Sequence, residues 1–274
     1  MRYFTKLITD EHFAWYKAQV NAEIEKTEEE KREEVEQALE EQVEAFLSLP
    51  ATDLFNLQRN LMNFPTIRPL YEKLYQSTSK EYADRFIKDI QKKLGVDVDR
   101  DRILLAVAQS TASFLAFGLD SAINSVDRTG NKLVEGYINE MMNEGVTDVD
   151  AAKKKIRDSY KLVIASRSMR IGRTEIATAA NRASWVAARS LGIPLAKVWD
   201  SVIDSRTRAT PEWNHVENNR QIQKLNDYFV VSGERLKYPL DPVASLGNRI
   251  NCRCAMFFTS VDAIKPVEEV EADT

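Results

Sequence analysis

Cysteine and histidine are nearly missing from this chain. Its 274 residues hold two of each, Cys252 and Cys254, His12 and His215. Two cysteines cannot make a disulfide framework, and they point to a reducing compartment. There is no Gly-rich phosphate loop, no paired-carboxylate spacing and no strong nucleophile–base motif, so no enzyme is expected. The N-terminal stretch "MRYFTKLITDEHFAWYK" lacks an apolar h-region and a small-residue cleavage site, which predicts no targeting leader. One uncharged apolar stretch, "ILLAVAQSTASFLAFGL" at 103–119, is short for a bilayer span and carries Gln109, Ser110, Thr111 and Ser113. It reads as a buried core helix, and no membrane partner is expected. No internal repeat is visible.

What the chain does have is charge, arranged in blocks of opposite sign. Glu23 to Glu44 holds eleven glutamates against three basic residues, a net of -8. Lys153 to Arg189 holds ten basic residues against two acidic ones, a net of +8. One reading is two helical surfaces that pair with each other. The other is an acidic docking surface and a basic, phosphate-contacting one, with Lys153, Lys154, Lys155, Arg157, Arg170 and Arg173 as the candidate nucleic-acid contacts.

Periodicity makes most of the chain helical. Val35, Leu39, Val43 and Phe46 form an amphipathic stripe within a helical stretch over 1–50. Thr52 or Asp53 is a candidate N-cap, a helix is expected from about Pro69 to Leu94, and Gly95 is its stop. The apolar helix runs over 101–126, and "DRTGNK" is expected to break the chain at Gly130. Thr147 or Asp148 caps the next helix. The alanine-rich "RTEIATAANRASWVAARSLGI" suits close helix packing and ends at Gly192 and Pro194.

After Pro194 the texture changes to short β-branched and aromatic runs. "AKVWDSVID" reads as a strand, "YFVVSGERLKYP" as a hairpin around Ser-Gly, and "CRCAMFFTS" as a further strand. The expected fold class is α+β: helical regions over 1–95 and 96–192, a small β-rich module over 193–260, and a disordered acidic tail over 261–274.

That module gathers the unusual polar residues: Asp204, Arg206, Arg208, His215, Asp241, Asn251, Cys252, Arg253 and Cys254. On a strand over 252–259 both thiols would share a face, two rises apart, which is near the upper limit for a disulfide. Two readings of the pair stand open. The thiols are ligands of one zinc, with His215 third and Asp204 a possible fourth. Or they are two buried thiols beside a separately hydrogen-bonded histidine. "DSRTR" reads as a turn in which Asp closes on the backbone and the arginines clasp neighbouring loops, reaching toward Asp241, or contact an anion. A metal-dependent hydrolase or nuclease built on Asp204 and His215, and a helical DNA-binding adaptor, are the alternative functions.

The order of these pieces is more specific than any of them alone. Arg173 to Glu175, Lys197 and Trp199, Asp204 to Arg208, His215, Phe229 to Gly233, Pro239 to Pro242 and Asn251 to Cys254 follow one another in a pattern that resembles the phage Mu protein F-like family of head morphogenesis proteins. The resemblance covers about 170–258. Two segments depart from the pattern: the gap "ATPEWN" between Arg208 and His215 is longer, and "ENNRQI" offers Asn218 and Asn219 where the family often has an Asp-Gly turn after the histidine. The resemblance implies a minor capsid protein of a tailed bacteriophage or prophage, made in the host cytoplasm. It would lie inside the head near the portal, with the portal protein, a major capsid or scaffolding protein and packaged double-stranded DNA as partners.

Overall fold

The structure is a computed structural model. It describes residues 10–50, 67–95, 97–145 and 148–261, and for 10–19, 93, 94 and 260 it describes the backbone alone. Thr52, Asp53, Thr147 and the tail beyond Val261 lie outside the described residues. The architecture is α+β: a long helical part followed by a small strand-containing region. The helices are α1 (Asp10–Leu47), α2 (Ile67–Leu94), α3 (Arg100–Phe117), α4 (Leu119–Asn143) and α5 (Val149–Ser190). Strands β1 (Leu195–Asp200), β2 (Ile222–Lys224), β3 (Phe229–Val231) and β4 (Glu234–Leu236) follow, then the short helix α6 (Leu246–Arg249) and β5 (Ala255–Ser260). No single helix among the described residues is long and apolar enough to cross a membrane.

Helix boundaries follow the caps with one exception. Gly95 and Gly192 take left-handed φ angles of 61° and 70° just past α2 and α5. Asp148 accepts the N–H of Asp150 at 2.9 Å and starts α5. Gly130 does not break the chain: it is buried inside α4. A lone glycine in a helix costs only about 1 kcal/mol, which the packing of a buried face offsets. The break falls instead at Gly118, where α3 and α4 meet at a 48° bend. A Cβ on residue 118 would lie 2.6 Å from the Phe114 ring.

The chain divides into two compact units, each discontinuous in sequence. One comprises 24–78 and 108–176; the other comprises residues up to 23, 79–107 and 177 onward, including all the strands.

Among its described residues the first unit carries helices and no strand. The stripe Val35, Leu39, Val43 and Phe46 is fully buried. Tyr75 packs on Phe114 with centroids 4.9 Å apart, and its hydroxyl donates to Glu175 at 2.6 Å. The acidic and basic blocks pair here: Arg157 with Glu44 at 2.8 Å and Arg173 with Glu28 at 3.1 Å. Gln42 donates to Asp127 at 2.7 Å, and burial raises the Asp127 carboxyl above its ordinary range.

The second unit is built on β1. It lies between β2 and β5 in an antiparallel three-stranded sheet, with Val198 opposite Ile222 and Trp199 opposite Met256. All six residues of β1 are buried. Val198 packs with Phe257 and Ile222. Lys197 and Trp199, on the opposite face by strand alternation, meet Phe229 of the β3–β4 hairpin. Ser232 and Gly233 turn that hairpin, both at positive φ. This is the type I′ geometry, which glycine enters without a side-chain clash. The end of α5 lays Ala177, Ala180, Ala183 and Ala187, all buried, along the unit. Trp185 donates from its indole to the Leu225 carbonyl at 3.0 Å.

Lys197 is fully buried, and its ammonium donates to the Lys237 carbonyl at 2.6 Å. Burial pulls its pKa down to about 8 from 10.5. Between those values the unfolded chain holds a proton that the folded chain lacks, so stability rises with pH across that window and is at its lowest contribution below it. We predict that Lys197→Met is at least as stable as the parent at pH 7. Urea unfolding of both chains at pH 7 and 10.5 should show the variant's advantage shrinking by about 3 kcal/mol as pH rises, from 1.36 kcal/mol per unit.

Candidate metal centre

The strand that carries the cysteines starts later than the sequence pattern predicts. β5 begins at Ala255, and Cys252 and Cys254 sit in the approach to it. What sets their position is a turn, not strand alternation. Helix α6 ends at Arg249, and Asn251 takes a left-handed φ of 57°, a conformation asparagine tolerates. The Cys254 N–H then points at Cys252 Sγ, 3.4 Å away. Asn181 of α5 donates to the Cys254 carbonyl at 3.2 Å.

His215 lies in the connection between β1 and β2. Its backbone N–H donates to the Arg208 carbonyl at 2.8 Å, and its carbonyl accepts the Ser201 hydroxyl at 2.5 Å. Its ring stands edge-on to Trp199, 6.0 Å between centroids. The departing segment before it closes on itself: Ala209 bridges to Asn214, and Thr210 and Trp213 exchange backbone hydrogen bonds. The segment after it places its left-handed residue at Arg220, with φ 66°, rather than at Asn218 or Asn219. Asn219 instead accepts the Ser201 N–H at 3.1 Å.

Three ligand-type atoms converge as a result. His215 Nδ1 lies 3.4 Å from Cys252 Sγ and 3.4 Å from Cys254 Sγ. All three residues are buried, and their ligand atoms lie within 4.8 Å of one another. Donors of one tetrahedral zinc, with bonds of about 2.0–2.3 Å, stand roughly 3.4–3.8 Å apart. The residues therefore fit a metal ion. Burial drives the Cys254 thiol well above its usual range, and its sulfur lies 3.6 Å from Ser201 Oγ. Cys252 is lowered, because Cys254 donates to it and because Arg208 and Arg253 lie near. Both thiols would have to give up their protons to bind a metal.

Asp204 does not join this group. Its carboxylate is held by Arg253 at 2.6 Å and accepts the Arg206 N–H at 2.9 Å. The Thr207 N–H returns to the Asp204 carbonyl at 3.0 Å, which closes the turn read from "DSRTR". The arginine between the two cysteines thus ties this turn to the cysteine loop. Arg253 holds the Asp204 carboxyl far below the usual carboxylate range. Arg208 donates to the Ile250 carbonyl, a second tie between the same loops. The Arg206 guanidinium is mostly exposed and lies 3.4 Å from Asp204. Asp241 stays in its own turn, accepting the Lys237 N–H at 2.9 Å and the Val243 N–H at 3.3 Å.

The basic candidates lie in the first unit. Lys153 donates to the Leu49 carbonyl at 3.4 Å, Lys154 to Asp158 at 2.6 Å and Lys155 to Glu144 at 2.6 Å. Arg157 and Arg173 hold Glu44 and Glu28 as described, and Arg170 is exposed.

Two residues at the centre carry no sequence signal. Ser201 accepts the Trp199 indole N–H at 3.0 Å while it donates to His215. Asn248 is buried and lies 3.0 Å from His215 Nε2. Its place depends on Gly247, where an added Cβ would come within 2.4 Å of the Trp213 ring. Gly247→Ala is expected to destabilise the protein by about 1–3 kcal/mol, as overpacking does, seen as a lower midpoint in urea at unchanged slope.

No family model, curated protein or solved structure matches the chain.

Proposed function

We propose that this chain is a minor head protein of a tailed bacteriophage or prophage, of the phage Mu protein F-like type, in which one zinc ion closes the C-terminal module. The observation that carries this reading is convergence. Motifs spread along 170–258 have no sequence contiguity, yet Trp199, His215, Phe229, Cys252 and Cys254 pack around one buried centre, and Asp204 and Arg253 pair beside it. An ordered motif series of this kind is what a single structural site imposes on a chain.

Two thiolates and an imidazole are soft and borderline donors that suit zinc, and the protein supplies three of its four customary ligands. Burial of all three favours a metal that holds loops together over one that meets a substrate, since a catalytic zinc keeps a position open to water. The zinc would join the loop bearing His215 to the segment entering β5, with the Asp204–Arg253 pair beside it as a second tie.

In the head, the protein would associate with the portal and assist assembly, packaging or delivery. The pairing of Arg157 and Arg173 with α1 carboxylates ties these two cations into the fold, and a docking role on DNA would fall first to Arg170. The test is quantitative mass spectrometry of purified DNA-filled heads made from a genome that encodes this chain. A few copies per head, co-purifying with the portal ring, are expected. Absence from filled heads would overturn the reading.

A further inference from the structure

We infer that Asn248 is a positioning residue that fixes His215 in the tautomer with the proton on Nε2, which directs the Nδ1 lone pair at the two cysteine sulfurs. An imidazole has two nitrogens, and only the unprotonated one can bind a metal or accept a thiol proton. Here the two nitrogens have different neighbours. Nδ1 faces Cys252 and Cys254 at 3.4 Å each, and Nε2 faces the Asn248 side-chain oxygen at 3.0 Å.

The amide cannot turn to offer its nitrogen instead, because that nitrogen already donates to the Val231 carbonyl at 3.3 Å. Reversing the amide would set its oxygen against that carbonyl and its N–H₂ against the ring. Oδ1 therefore accepts, and Nε2 must be the donor.

The backbone of Asn248 is held as firmly. Its N–H is accepted by the Ser245 hydroxyl at the start of α6, and the Ser245 N–H is accepted by Glu234 of β4 at 2.9 Å. Trp213 lies over Gly247, the preceding residue. The hairpin thus reaches the histidine through two routes, from Val231 to the side chain and from Glu234 to the backbone. An outer partner of this kind typically changes metal affinity 10–100-fold.

The affinity arm of the test rests on the zinc reading; the tautomer arm does not. The chain has only two histidines, so a long-range proton–nitrogen correlation spectrum of reduced, metal-free, histidine-labelled protein resolves His215 from His12. Nε2 is expected as the protonated nitrogen in the parent chain, and Asn248→Ala should show a mixture of tautomers. A parent spectrum with the proton on Nδ1 overturns the inference, whether or not the variant folds. So does a folded Asn248→Ala protein that keeps the parent tautomer. Zinc affinity by chelator competition should fall about 10–100-fold in Asn248→Ala, and Asn248→Asp, which keeps the acceptor, should recover part of it. If the parent binds no zinc but shows the Nε2–H tautomer, the zinc reading fails and the role of Asn248 stands.

Discussion

Replacing His215 with alanine is expected to remove stoichiometric zinc binding and to destabilise the protein by about 5 kcal/mol or more. Three losses combine. Binding of a structural zinc is itself folding free energy, about 10–16 kcal/mol in small zinc domains, and one of the three candidate ligands would be gone. The Asn248 oxygen loses its donor, and a buried unsatisfied acceptor costs about 1–3 kcal/mol. The ring edge against Trp199 is lost as well. The measurement is thermal unfolding with zinc and with a chelator. The parent midpoint should fall on chelation, whereas those of His215→Ala, Cys252→Ser and Cys254→Ser should be low and indifferent to it. A parent midpoint indifferent to chelator would count against the metal.

Trp199→Ala is expected to cost about 3–5 kcal/mol, the range for deleting a large buried aromatic. Trp199 is fully buried on the central strand, 5.3 Å from the Phe229 ring and 6.0 Å from that of His215. It is the layer between the sheet, the hairpin and the His215 ring. The indole N–H also occupies Ser201 Oγ. Trp199→Phe keeps most of the packing and loses that bond, so a cost of about 1–2 kcal/mol is expected. Equilibrium urea unfolding followed by circular dichroism separates the two. A Trp199→Ala cost below that of Trp199→Phe would contradict this placement.

The helices were legible because period and caps agree. Val35, Leu39, Val43 and Phe46 are spaced for one face, and that face is buried. The hairpin was legible because Ser-Gly between β-branched runs specifies a tight turn, and both turn residues take positive φ. Gly130 misled, because glycine is a breaker only where packing does not hold the helix; buried in α4, it is held. The short edge strand β2 was not read, since "ENNRQIQK" is polar and its pairing comes from β1 rather than from its own composition. The onset of β5 was placed three residues early, because the left-handed turn at Asn251 leaves no mark in hydrophobic pattern.

At the site, composition put His215 near both cysteines, since so few soft ligands exist in the chain. It also offered Asp204 as a fourth ligand. A carboxylate can serve a metal or a guanidinium, and only the fold shows Arg253 standing 2.6 Å from it. Asn248 and Ser201 were invisible for a related reason. Their roles come from which carbonyl and which ring nitrogen they face, and nothing in a one-dimensional pattern encodes that.

The most direct test of the account is X-ray absorption at the zinc edge, with metal stoichiometry, on protein purified under reducing conditions. The predicted result is about one zinc per chain, with two sulfur neighbours at about 2.3 Å and at least one nitrogen at about 2.0 Å. Protein that folds fully without zinc, or zinc bound through oxygen and nitrogen alone, would contradict a centre made by His215, Cys252 and Cys254.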